Sequence, residues 1–193
     1  MQVMKSDWTL RYVPKPLKVA TTKKEFKKVW GLREAEYSKL YPGVTHFKND
    51  RFDHNACVLY SQNQKGEVVS TGRIAFDGPG GLPADELIKP EINKLRKKGL
   101  VVAESSKFTI NPKAKGILPY YFYSYYEIAA KRNIDSMIFI IPDKNVRLYQ
   151  KTAGAKILLK DIGYSYGTDA KFSLLECRVK EIIPTFLQYW GRK

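Results

Sequence analysis

LVVAESSKFTINPKAKGILPYYFYSYYEIAAKRNIDSMIFII, Leu100 to Ile141, holds two strands and the helix between them. Leu100 to Ile110 carries Val101, Val102, Phe108 and Ile110 and reads as a long strand. Leu118, Phe122, Tyr125, Tyr126 and Ala129 then recur at helical spacing, with Pro119 tolerated in the first turn of that helix. Ser136 to Ile141 is short and almost wholly apolar, the mark of a buried strand. A strand, a helix and a strand in direct succession place the chain among α/β folds.

The flanking segments extend that pattern. Upstream, Thr22 and Glu25 form a capping box, and Phe26, Val29, Trp30, Tyr37 and Leu40 predict a first helix that Pro42 and Gly43 stop near Tyr41. Ala56 to Ser61 and Val68 to Asp77 are predicted strands joined by a turn at Lys65 and Gly66. A Gly/Pro-rich loop, Gly78 to Pro83, leads to a polar helix around Pro90 to Lys98. Downstream, Asp143 is expected to cap a helix bearing Leu148 and Tyr149 that ends at Gly154, a candidate left-handed residue. Closing strands are predicted over Lys156 to Ile162 and Lys171 to Lys180, with a Tyr/Gly loop carrying Tyr164 and Tyr166 between them. A short last helix contains Phe186, Leu187 and Trp190. With no internal repeat or linker, residues 1–193 read as a single domain behind a short N-terminal arm.

Composition narrows the classes. An apolar fraction of 44% with 27% charged residues argues against disorder. The longest apolar run, Met137 to Pro142, cannot span a bilayer, and Lys5, Asp7 and Arg11 interrupt any leader of signal-peptide type, so a cytoplasmic location is the expectation. Cys57 and Cys177 sit in apolar, strand-like surroundings and read as buried thiols. His46 and His54 have no metal-ligand spacing with them, so no metal site is expected. The net charge of +15 predicts an acidic partner. No nucleic-acid-binding motif accompanies it.

LYQKTAGAKIL, Leu148 to Leu158, resembles the tyrosine helix and Gly-Ala turn of the Gcn5-related N-acetyltransferase (GNAT) fold, and the order of elements is the one that fold uses. Three upstream strings sharpen the resemblance: NDRFD, containing Asp50 and Asp53; VVSTGRIAFD, with Arg73; and AESSKF, Ala103 to Phe108. In order and spacing they resemble the acyl-homoserine-lactone synthases, and WGLREAEY, Trp30 to Tyr37, resembles the Arg/aromatic helix of that family. Lys107 stands where those synthases carry arginine. LYPGVTHFKNDRFD and GTDAKFSLLECRVK look more like the long-chain N-acyl amino acid synthases, a sister group that includes N-acyl tyrosine synthases. The resemblance implies a mixed sheet with helices on both faces and transfer of a long-chain acyl group from an acyl carrier protein thioester to an amino acid amine. Tyrosine as acceptor is implied by the resemblance alone.

Each candidate residue has a structural alternative. Glu104 would take the proton from the attacking amine, or else pair with Arg73 or Lys107 inside the protein. Asp50 and Asp53 would join Arg73 in shaping a pocket, or simply hold a turn. Arg33, three residues beyond Trp30, would clamp the acceptor carboxylate, or be a solvated helix residue. Ser106 and Lys107 complete the proposed substrate set, although strict alternation turns Lys107 away from Glu104 unless a bulge intervenes. Lys113, Lys115, Gly116 and Ile117 precede a helix whose first amides would hold one phosphate. A single glycine there suits the phosphopantetheine of an acidic carrier protein better than the pyrophosphate of coenzyme A, and no tightly bound cofactor is expected. A lactone-forming synthase and a non-catalytic basic binding module are the competing readings.

Overall fold

The computed structural model describes residues 17–41, 50–112, 114, 116–163 and 170–190. Seven strands form one sheet: β1 (Leu17–Val19), β2 (Ala56–Gln62), β3 (Val68–Phe76), β4 (Val102–Ile110), β5 (Ser136–Pro142), β6 (Lys156–Ile162) and β7 (Phe172–Arg178). Their spatial order is β1-β2-β3-β4-β5-β7-β6. Every pairing is antiparallel except the central one, β4 with β5. The helices are α1 (Lys23–Leu40), α2 (Asp85–Lys97), α3 (Leu118–Lys131), α4 (Val146–Ala153) and α5 (Val179–Trp190).

Alternation along the strands builds two apolar layers. Leu59, Ile74, Ala103, Met137, Phe139 and Leu175 meet Tyr121, Tyr125 and Ala129 of α3, Ala153 of α4 and Ile182 of α5. On the opposite face, Ala75, Val102, Ile138 and Leu174 meet Ile92 and Leu95 of α2, with Tyr37 of α1 packed alongside. Val29 of α1 packs on Val58 and Tyr60. The helices thus lie on both faces of a mixed sheet, as expected of the GNAT-like α/β class.

Local signals account for most boundaries. The Thr22 side chain caps the Glu25 amide and the Glu25 carboxylate caps the Thr22 amide, which closes the N-terminus of α1. Gly154 ends α4 at φ +66. Asp143 is a correction: its carboxylate accepts from Ser173 Oγ at 2.7 Å and caps no helix, because a short 3-10 turn, Asp143–Asn145, intervenes before α4. Helix α2 also begins earlier than Pro90, at Asp85, and it is broken at Ile88 (φ −139, ψ 39). Pro90 has no amide to continue the ladder across that break.

Two irregularities in β4 matter for the site. Thr71 pairs with Thr109 and Arg73 with Ser106, so Lys107 and Phe108 together face the single residue Gly72. This is a β-bulge, and Lys107 adopts φ +53 within it. Gly72 stands opposite, and a Cβ there would collide with the Tyr125 hydroxyl unless that side chain shifted. The parallel ladder of β4 and β5 spans only Val102↔Ser136 to Glu104↔Ile138, although both strands continue. Past Glu104 the two strands diverge and open a notch in the middle of the sheet.

Candidate active site

Glu104 is the last paired residue before the notch. It lies on the α1/α2 face, is 3% exposed, and accepts a hydrogen bond from the Ala84 amide through Oε2 at 2.7 Å. Burial pushes its carboxyl up to about 7, although the Ala84 bond and the positive charges of Arg73 and Lys107 oppose the rise. At neutral pH such a group is poised between accepting and releasing a proton.

Around it lies a buried charge network drawn from four segments. Arg33 on α1 and Arg73 on β3 are both 0% exposed. Asp53, in the 3-10 turn Arg51–Asn55, accepts from Arg33 Nη1 at 2.7 Å, from Arg73 Nη1 at 3.1 Å and from the Trp30 indole at 2.9 Å. Asp50 lies 3.0 Å from Arg73 Nη1 and 3.5 Å from Lys107 Nζ, and also caps the Phe52 amide. Burial raises the Asp50 carboxyl, but Arg73 and Lys107 outweigh it and hold the group below its ordinary value. Arg73 Nε and Nη2 donate to Ser106 Oγ at 3.2 and 3.1 Å. Charges taken this far from water need such pairing, and removal of one partner costs about 3–5 kcal/mol.

Arg33 is therefore no solvated helix residue, and Asp50 and Asp53 act as counterions as well as turn residues. The bulge also corrects the expected orientation of Lys107. The extra residue shifts the alternation, so Lys107 reaches Asp50 and stands 5.8 Å over the Tyr37 ring, on the same face as Glu104. Burial lowers its ammonium pKa. One edge of Arg33 is distinctive. Its Nε and Nη2 are buried and meet no hydrogen-bond partner among the described residues. These two N–H groups point the same way and form the fork that takes a carboxylate bidentately.

Two contributors escaped the sequence reading. Tyr37 is four residues beyond Arg33 on α1 and stacks on Tyr41 at 6.0 Å, beneath Lys107. The Arg33/Tyr37 spacing was the available signal, but Tyr37 reads equally well as core. Ala84 contributes only its amide, which no side-chain pattern reveals. Tyr149, by contrast, is core: its ring packs edge-on against Phe122 and Phe139 at 5.3 and 5.0 Å. Cys57 and Cys177 are buried free thiols, and burial pushes Cys57 up to about 12. Gly116 (φ +76) and buried Ile117 lead into α3, while Lys113, Lys115, Tyr164 and Tyr166 lie outside the described residues. A separate cleft of about 630 Å³ is lined by Gly80, Asp85, Lys89 and Val101 among others, and not by Arg33, Glu104 or Lys107. No helix among the described residues is long and apolar enough to cross a membrane.

A mixed sheet whose two central parallel strands stop pairing at a buried carboxylate is the GNAT-like fold that the sequence led one to expect. Comparison with known proteins agrees. A sequence search of curated proteins finds no match. The profile of N-acyl amino acid synthase FeeM matches residues 28–178, and the chain belongs to that family. Its fold is similar to that of FeeM, an N-acyl amino acid synthase from uncultured soil microbes, with a TM-score of 0.74 and 21% identity over 91% of this chain and 96% of that one. The acyl-homoserine-lactone synthase LasI superimposes with a TM-score of 0.63 at 14% identity, covering 91% of this chain and 94% of that one. BjaI, a CoA-dependent acyl-homoserine lactone synthase, gives 0.60 at 12% identity, over 88% and 82%.

Proposed function

We propose that the enzyme transfers a long-chain acyl group from the phosphopantetheine thioester of an acyl carrier protein to the amine of a free amino acid. The observation that carries this reading is the buried Glu104, titrating about 7, beside a cationic cluster where β4 and β5 part. Past Glu104 the facing edges of β4 and β5 do not pair with each other, and the amides of an extended pantetheine arm would pair with them. The acceptor enters as a zwitterion. The free fork of Arg33 takes its carboxylate, and Glu104 removes a proton from its ammonium. The nitrogen lone pair then attacks the thioester carbonyl, the tetrahedral intermediate collapses, and the C–S bond breaks. The departing sulfur takes the second proton that the nitrogen sheds and leaves as the pantetheine thiol, while the first passes from Glu104 to solvent. One amide bond forms for one thioester lost.

Long acyl length and tyrosine as acceptor rest on the resemblance of the sequence to N-acyl amino acid synthases. Mass spectrometry of lipids from cells expressing the chain tests the whole reading. An N-acyl amino acid absent from control cells is the expected product. An acylated lactone would assign the chain to the lactone-forming reaction instead, and no new acylated amine would remove the proposal.

A further inference from the structure

The loop that presents the Ala84 amide to Glu104 is held by a side chain far from the reacting groups. Residues 77–85 contain Gly78, Gly80 and Gly81, and residues 78–80 are exposed, so little packing fixes their path. Leu82 and Ala84 anchor the loop in the apolar layer beneath α2. The direction of the first turn of α2 is a separate matter, because the break at Ile88 and the missing amide of Pro90 uncouple that turn from the rest of the helix.

Arg96, in the last turn of α2, bridges the gap. Its Nε and Nη2 donate to the Asp77 carboxylate at 2.6 and 2.8 Å, at the exit of β3. Its Nη1 and Nη2 donate to the Asp85 carboxylate at 2.7 and 2.6 Å, in the first turn of α2. Asp85 in turn accepts from the Leu82 amide at 2.7 Å, two residues before Ala84. One guanidinium thus closes both ends of the loop with two bidentate grips, which a lysine cannot reproduce.

We infer that the Asp77–Arg96–Asp85 clasp is a positioning device for Glu104: it holds the Ala84 amide against Oε2 and thereby fixes where the carboxylate points and how readily it ionises. Among the described residues that amide gives the carboxylate its one hydrogen bond, and Oε1 is left for the acceptor. The inference rests on Glu104 being the base. Loss of the clasp lets the amide retreat. A carboxylate that loses a donor holds its proton more tightly, so its titration moves upward.

The test follows the carboxylate itself. In full-length protein labelled with ¹³C at glutamate side chains, the Glu104 signal is assigned by its loss in Glu104→Gln and titrated in the wild type, Arg96→Lys and Asp77→Asn. An upward shift of about one unit is expected in both variants, with the low-pH limb of kcat/KM moving by the same amount and activity recovering at high pH. Asp77→Asn leaves Arg96 its grip on Asp85, so it carries the measurement if Arg96→Lys does not fold. Unmoved titration in a folded variant overturns the inference. The base assignment fails separately: full activity of Glu104→Gln would remove it, whatever the clasp variants do to the titration.

Discussion

At the scale of single residues, the site trades stability for chemistry. The ordinary glutamate carboxyl lies near 4.5, and burial raises that of Glu104 to about 7. The folded state therefore binds the proton more tightly than the unfolded chain. That contribution to stability is full below the unfolded value and is lost as pH rises through 7, with a total of at most about 3 kcal/mol. Glu104→Gln cannot ionise. Its melting temperature is expected to exceed that of the wild type at pH 8 and to converge with it below about pH 4, while kcat falls roughly 10²-fold or more. A mutant destabilised at pH 8 would show that the carboxylate is a net structural support. Arg33→Lys removes the fork and keeps the charge, so KM for the amino acid should rise while acyl loading from the donor is unchanged. Amino acid amides, which lack the carboxylate, should be poor acceptors for the wild type. Amides acylated as fast as free amino acids would count against any clamp at Arg33.

At the scale of elements, the sequence was legible wherever one local cue sufficed. The Thr22/Glu25 box, the stop at Gly154 and the apolar run of β5 each set a boundary that the fold keeps. It was illegible where the cue was nonlocal. Asp143 has the composition of a cap but serves Ser173, thirty residues away. The acidic and basic residues of the site were all nameable from their motifs, yet the presence of Lys107 on their face depends on the bulge. Opposite the bulge stands Gly72, whose missing side chain leaves room for the Tyr125 hydroxyl arriving from α3. No window along the chain contains all three. Gly72→Ala is accordingly expected to lower the melting temperature and to cost activity, because its methyl meets that hydroxyl. Tyr125→Phe removes the colliding atom, so the double variant should regain part of the loss. Strict additivity of the two substitutions would show that the collision is not what makes Gly72 necessary.

At the scale of the whole molecule, the +15 charge includes two exposed lysine groups whose places composition alone did not reveal. Between Glu104 and Ile110, β4 has no pairing with β5, and Ile110 pairs with Ser70, just beyond the β2–β3 turn. Lys28 donates to the Gly66 carbonyl in that turn, which places the N-terminal end of α1 at the same end of the sheet as Ile110. Lys23, Lys24, Lys27 and Lys28 are all exposed there. A second exposed group, Lys94, Lys97 and Lys98, precedes the opposite, closed end of β4. On the proposed reading, a carrier protein would bring its thioester in from the end where β4 and β5 no longer pair, and its acidic surface would then meet the first group. Reversal of Lys23, Lys24 and Lys27 to glutamate should raise KM for an acyl carrier protein donor and flatten its dependence on salt between about 0.05 and 0.5 M. The same reversal at Lys94, Lys97 and Lys98 should do much less. A long-chain coenzyme A thioester presents no such acidic surface, so its KM should respond weakly to either set. Equal effects of the two sets on the carrier-protein donor would mean that the charge serves overall attraction and not docking at the notch.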